Sequence, residues 1–326
     1  MNDINTEQSI DQKLQEFGED IVSGLNSNPK KLSSKYFYDE TGDKIFQQIM
    51  ALDEYYLTRA EFEILDNYKD EILKIVAGKD GFNFFELGAG DGYKTKLLLR
   101  HFIDREVDFT YFPIDISGNV LEELQQALKS ELPALHVHPL EGDYFKMLRN
   151  ISDESGKNKL ILFLGSNIGN FAKSDAVRFL SLLRDSLSDG DFALIGVDLK
   201  KDPKVILKAY NDSKGVTRAF NMNLLDRIND TFDGNFDKEQ FVHSPVYDPS
   251  TGECRSYMLS KQEQTVTLPA LGETIHFRKW EPIHMEISKK YDVYELEELA
   301  SEAGFEVVRH FQDANGYFVD SLWRAK

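Results

Sequence analysis

Residues 85–94 read Phe-Glu-Leu-Gly-Ala-Gly-Asp-Gly-Tyr-Lys, a glycine-rich loop between an apolar run and a helical stretch. Glycines let a backbone turn sharply and lie close to a ligand. A dinucleotide-binding loop would need another glycine at position 93, and this chain has Tyr93 there. Glu86 puts an acid at the end of the preceding strand, so the loop suits a positively charged sulfonium better than a pyrophosphate. Alone, the same residues also describe an ordinary strand-to-helix turn.

Two more carboxylates stand in matching places. Asp115 closes the apolar run Tyr111-Phe112-Pro113-Ile114, where the ribose hydroxyls of a nucleoside bind in a doubly wound sheet. Asp143 follows the next run in Gly142-Asp143-Tyr144-Phe145, where an acid and an aromatic can hold an adenine. Either carboxylate by itself is a helix cap. Three acids at successive strand ends favour S-adenosylmethionine (SAM). Phe163-Leu164-Gly165-Ser166-Asn167-Ile168-Gly169-Asn170 follows the fourth run, where the transferred methyl group should emerge. It offers close backbone approach and neutral hydrogen bonds to a small polar substrate, and it equally resembles a capping loop.

In Glu286-Ile287-Ser288 the two polar residues share one face of a strand. Glu286 can accept from one N–H of an imidazole, while Ser288 can donate to or accept from the other nitrogen. An indole has a single N–H and no second ring acceptor. Tyr38, Tyr55 and Tyr210 read as core or rim aromatics. His136-x-His138 and His284-x-Glu286 have same-face spacing but no third ligand, so no metal site is expected. The single cysteine, Cys254, has no base partner in the sequence and permits no intrachain disulfide.

The elements that must carry these residues alternate. Phe84–Leu87, Phe109–Ile114, Leu135–Leu140, Leu160–Leu164 and Phe192–Leu199 are short apolar runs, most of them separated by helical patterns at 94–102, 120–129 and 176–187. Strand–helix alternation predicts βαβ units and a mostly parallel sheet. Upstream, Ile10, Leu14, Phe17, Ile21 and Leu25 recur at helical spacing, and Thr58–Glu61 fits a capping box for a helix ending near Gly78. Residues 200–290 break the rhythm with a helical section at 205–228 and strand-like runs at 241–246, 256–260 and 265–268, which reads as an insertion. A helix at 294–303 and a closing hairpin, 305–311 with 317–323, complete the chain.

The chain has 326 residues and a formal net charge of −18. So acidic a surface repels phosphates and anionic lipids, so no nucleic-acid or membrane partner is expected. The first residues lack the basic and apolar segments of a signal peptide, and no apolar run approaches a membrane span. A cytoplasmic protein is expected, with its oligomeric state open and a monomer consistent with the sequence.

These residues resemble the histidine-specific Nα-methyltransferases of ergothioneine biosynthesis, which form the betaine hercynine. The similarity runs across nearly the whole chain: Tyr36-Phe37-Tyr38-Asp39, Glu54-Tyr55-Tyr56-Leu57-Thr58-Arg59, Glu86–Gly90, Phe163–Asn170, Ala209-Tyr210, Gly215–Thr217 with Ala219–Asn221, and Glu286–Ser288. The resemblance implies a Rossmann-like, doubly wound class I methyltransferase sheet over 62–199 and 287–326. It implies a substrate-binding domain from 1–61 and 200–286. By it, Gly88, Lys94, Asp115, Asp143 and Tyr144 contact SAM, alongside Glu86 and Gly90 of the loop. Asn170 and Tyr210 orient the amino and carboxylate groups of L-histidine, Tyr55 and Gly165 line the same pocket, and Tyr38, Glu286 and Ser288 surround the imidazole. No residue is required as a catalytic base. Where the family commonly has a methionine near the side-chain pocket, this chain has Tyr257, with Met258 adjacent. Methylation of tryptophan or another aromatic amine, and SAM binding without catalysis, stay open as alternatives.

Overall fold

The computed structural model describes residues 2–78, 81–150 and 157–326, and the side chain of Ile10 lies outside what is described. The chain forms two compact units. The larger comprises Tyr55–Pro203, Asp248–Glu253 and Ser288–Lys326. The smaller comprises the stretch up to Glu54, Lys204–Tyr247 and Cys254–Ile287.

A seven-stranded sheet organises the larger unit. Its strands are β1 (Phe82–Leu87), β2 (Phe109–Asp115), β3 (Leu140–Glu141), β4 (Asn158–Phe163), β5 (Phe192–Asp198), β6 (Phe305–Gln312) and β7 (Phe318–Ala325), in the order β6-β7-β5-β4-β1-β2-β3. The first five are parallel, whereas β7 runs antiparallel to β5 and β6. All six residues of β1 are buried, as a central parallel strand requires. Its side chains alternate between two aromatic layers. Phe82 and Phe84 meet Phe102, Phe109 and Tyr111 on one face. Phe85 and Leu87 join the cluster of Phe163, Phe179, Leu180 and Trp323 on the other. This is the doubly wound α/β fold expected. The strand order reverses between β1 and β4, and in such sheets ligands bind outside the carboxyl ends at that point.

The expected strand at 135–140 contracts to β3 and an isolated bridge between Tyr111 and Val137. Pro139 has no N–H to continue the ladder. The expected capping box at Thr58–Glu61 does not form. The helix Leu57–Val76 begins behind Tyr56 without a side-chain cap, and Glu61 is fully buried.

The smaller unit contains the helices Asn2–Asn26, Glu40–Met50 and Val216–Phe232 and a four-stranded sheet ordered 30–31, 282–289, 253–260, 241–248. The helix expected over 205–228 is two helices, Pro203–Tyr210 and Val216–Phe232, separated where Gly215 takes φ of 73°. In the first helix Phe17, Ile21 and Leu25 are buried as expected, whereas Leu14 is exposed.

Candidate functional site

In the larger unit, the loop after β1 is shaped by its own backbone. The amides of Gly88 and Ala89 donate to the carbonyl of Ile114, and Gly88, Gly90 and Gly92 all have positive φ. Gly88 is also needed for space. A Cβ there would lie 2.5 Å from the Tyr144 hydroxyl and 3.1 Å from Asn167 Nδ2. The loop of the β1 end, Tyr144 after β3 and Asn167 after β4 therefore meet at one point.

Asp115, at the end of β2, accepts from the Gly90 amide at 3.0 Å and from the Ser117 amide at 3.0 Å. Burial pushes its carboxyl up, against the lowering effect of those amides. Asp143 accepts from the Phe145 amide at 2.9 Å and opens the helix Tyr144–Asn150. Both acids thus have the local roles that each would have alone. An ionised carboxylate has about four acceptor positions, so each retains capacity for a ligand. Tyr144 packs edge-on against Phe163 at 5.4 Å, and burial drives its phenol further up, keeping it a neutral donor.

Two residues of the loop face inward. Glu86 is buried and accepts from the hydroxyls of Thr95 and Tyr111. Burial pushes its carboxyl up to about 7. Its alternation with Phe85 and Leu87 places it on the Tyr111 face of the sheet, so it anchors the loop from below. Lys94 forms an ion pair with the buried Glu61, whose other oxygen accepts from the Gly165 amide at 2.7 Å. Beside Glu61, burial and the Glu61 charge hold the Asp320 carboxyl well above the carboxylate range. Gly196 accommodates this pair, since a Cβ there would lie 2.0 Å from Glu61 Oε1.

The loop after β4 is equally built. Gly165 has φ of 75° and Ser166, unusually for a serine, 61°. Ser166 Oγ accepts from the Asp198 amide at 3.0 Å, and Asn167–Asn170 form one 3-10 turn. Asp198, at the end of β5, is fully buried. It accepts from the Tyr56 phenol at 2.9 and 2.8 Å and from Lys201 and Lys290. Burial lowers the Lys201 ammonium to about 8, against the pull of Asp198. The fully buried Lys290 donates to Ser288 Oγ at 2.8 Å. Tyr55 lies next to Tyr56 at the start of the same helix and is half-buried.

In the smaller unit, Tyr38 packs edge-on against Phe46 and Phe220 at 5.6 and 5.5 Å, and Tyr210 is buried at the end of its helix. Glu286 is half-buried on the strand 282–289, on the face that also carries His284. Tyr257 meets the His284 ring at 5.4 Å, whereas Met258 is fully buried on the opposite face of its strand. The residue on the Glu286 side is therefore Tyr257. Among the described residues, no group of three His, Cys, Asp or Glu side chains could hold a metal, and no helix is long and apolar enough to cross a membrane.

The sequence reads Glu61 as a helix-capping residue and Lys201 and Lys290 as members of solvated basic pairs, whereas all three side chains are buried in ion pairs; Asp198 and Asp320 carry no reading from the sequence. A buried charge has no local signature, although Asp198 has the same strand-end position as Asp115, a signal that was available.

A family model described as histidine-specific, SAM-dependent methyltransferase matches residues 17–325. A histidine N-alpha-methyltransferase of Mycolicibacterium smegmatis is 34% identical over 303 residues, covering 93% of this chain and 93% of that protein. Ergothioneine biosynthesis protein 1 of Neurospora crassa is 34% identical over 312 residues, 91% of this chain and 34% of that protein. An L-tryptophan methyltransferase of Psilocybe serbica is 28% identical over 312 residues, 87% of this chain and 86% of that protein.

Proposed function

The chain belongs to the SAM-dependent, histidine-specific methyltransferase family, and we propose that its own reaction is trimethylation of the α-amine of L-histidine to hercynine. The observation that carries this reading is the family match over nearly the whole chain. The acids and glycines at the β1, β2 and β3 ends support the methyl-donor side.

Gly88, Gly90, Lys94, Asp115, Asp143 and Tyr144 are the residues assigned to SAM, and their chemistry fits it. Asp115 and Asp143 supply acidic acceptors, Tyr144 a neutral donor and Lys94 a cation paired with Glu61. At Gly90 a Cβ would meet nothing within 4 Å, which leaves the backbone open to close approach. When bound, SAM supplies an electrophilic methyl group on a sulfonium. Glu86 acts one step back, by fixing the loop through Thr95 and Tyr111. Tyr38, Tyr55, Gly165, Asn170, Tyr210, Glu286 and Ser288 are assigned to histidine. Asn170 and Tyr210 orient the amino and carboxylate end, and Glu286 and Ser288 the imidazole. The amine attacks as the free base, because an ammonium has no lone pair, and a nearby positive charge lowers its pKa. Holding the amine in line is the protein's main contribution. Anchoring by carboxylate and ring lets the amine exchange protons for methyl groups without losing the substrate.

The test is incubation with SAM and an equimolar mixture of amino acids, read by mass spectrometry. Trimethylhistidine should be the dominant product. Methylated tryptophan without methylated histidine would replace the substrate assignment, and SAM binding with no methylated product would mean a non-catalytic protein.

A further inference from the structure

Ser166 stands in the left-handed region, at φ 61° and ψ 25°, where glycine fits best and asparagine next. A serine held there is kept for its side chain. The partner of that side chain follows from the sheet. The Leu199 amide donates to the Tyr317 carbonyl of the β7 side, so strand alternation turns the Asp198 amide to the other edge of β5, toward β4. The two strands stay in register only as far as Phe163 beside Ile195. Beyond that point Ser166 Oγ accepts from the Asp198 amide at 3.0 Å, so the hydroxyl replaces a ladder carbonyl. Both residues are buried, and without this bond the amide would be orphaned away from water.

The rest of the loop closes around that bond. The Ser166 carbonyl accepts from the Gly169 amide at 2.9 Å, and Glu61 accepts from the Gly165 amide at 2.7 Å. Gly169 lies against the backbone at Lys289, where a Cβ would come within 2.6 Å of the carbonyl oxygen. Asn170 ends the turn that Ser166 caps.

We propose that Ser166 is a positioning residue: its hydroxyl, bound to the Asp198 amide, holds the loop after β4 in its left-handed turn and so fixes the place from which Asn170 meets the attacking amine. The inference rests on the assignment of Asn170 to the substrate amine and deepens it. Alanine at 166 keeps the backbone strain and gives up the bond. Glycine gives up both. The two substitutions therefore move stability and alignment apart.

The experiment measures kcat and KM for L-histidine, SAM affinity by calorimetry and Tm for wild type, S166A and S166G. Both variants should lose kcat by on the order of 10- to 100-fold, the cost of misplacing a reacting group by about 1 Å. SAM affinity should stay within about three-fold, because the loop after β1 keeps its own bonds. S166G should melt no lower than S166A, since relief of the left-handed strain offsets the extra freedom of glycine in the unfolded chain. Its kcat should nonetheless be no higher. A kcat for S166A within about two-fold of wild type overturns the proposal, and so does a kcat that recovers in S166G together with Tm, which would make Ser166 merely structural. If S166A gives no soluble protein, S166G decides by the same two-fold criterion. Methylation of another amine in place of histidine defeats the substrate assignment alone, and the same comparison on that amine still decides the role of Ser166. A wild type that forms no methylated product defeats the functional reading and this proposal with it.

Discussion

Glu86 shows how far a single side chain can be read. Its position at a strand end is plain in the sequence, and so is the glycine loop beside it. Its direction is not, because a strand's alternation assigns faces only once the neighbouring layers are known. The structure turns it toward Thr95 and Tyr111, where burial raises its carboxyl from 4.5 to about 7. Such a group binds its proton more tightly folded than unfolded. It therefore adds stability that is full below pH 4.5 and is lost as pH rises through 7. The stability of wild type relative to Glu86→Gln should fall over that window by up to about 3 kcal/mol, measured by urea unfolding at a series of pH values. A flat difference would show an ordinary carboxylate. Tyr257 is the second lesson at this scale. Its adjacency to Met258 left the register ambiguous, and strand alternation with the His284 contact resolves it.

Among the elements, the helix Leu57–Val76 forms as expected but without the capping box. Thr58 and Glu61 have the spacing of a capping box, and a local pattern cannot reveal that Glu61 is needed elsewhere. Its carboxylate ties Lys94 of the first loop to Gly165 of the loop after β4, so one helix sets the relation between two loops of the same unit. Glu61→Gln leaves the Lys94 ammonium without its counterion and should destabilise the protein by roughly 2–4 kcal/mol in chemical denaturation, with KM for SAM raised. Asp320→Asn, which mimics the neutral acid held there, should cost less than about 1 kcal/mol. Equal effects would show that the two carboxyls share the charge. The βαβ rhythm, by contrast, was legible because hydrophobic periodicity reports burial directly, and only the strand containing Pro139 fell short.

For the molecule as a whole, the net charge of −18 was the firmest quantity in the sequence. Self-repulsion at that charge is screened by salt, so raising sodium chloride from about 0.05 to about 0.5 M should raise Tm by a few degrees. A lower Tm at high salt would mean that the surface ion pairs outweigh the repulsion. Compactness depends on contacts distant in sequence, which no local pattern reports. One such contact is β7 lying between β5 and β6. During synthesis β5 leaves the ribosome roughly 120 residues (318 minus 198) before the strand that covers its edge. Throughout that interval the nascent sheet has an open, apolar border, the kind that recruits other chains. The yield of soluble protein thus depends on how quickly translation reaches the last strand, a constraint on expression that the finished enzyme no longer shows.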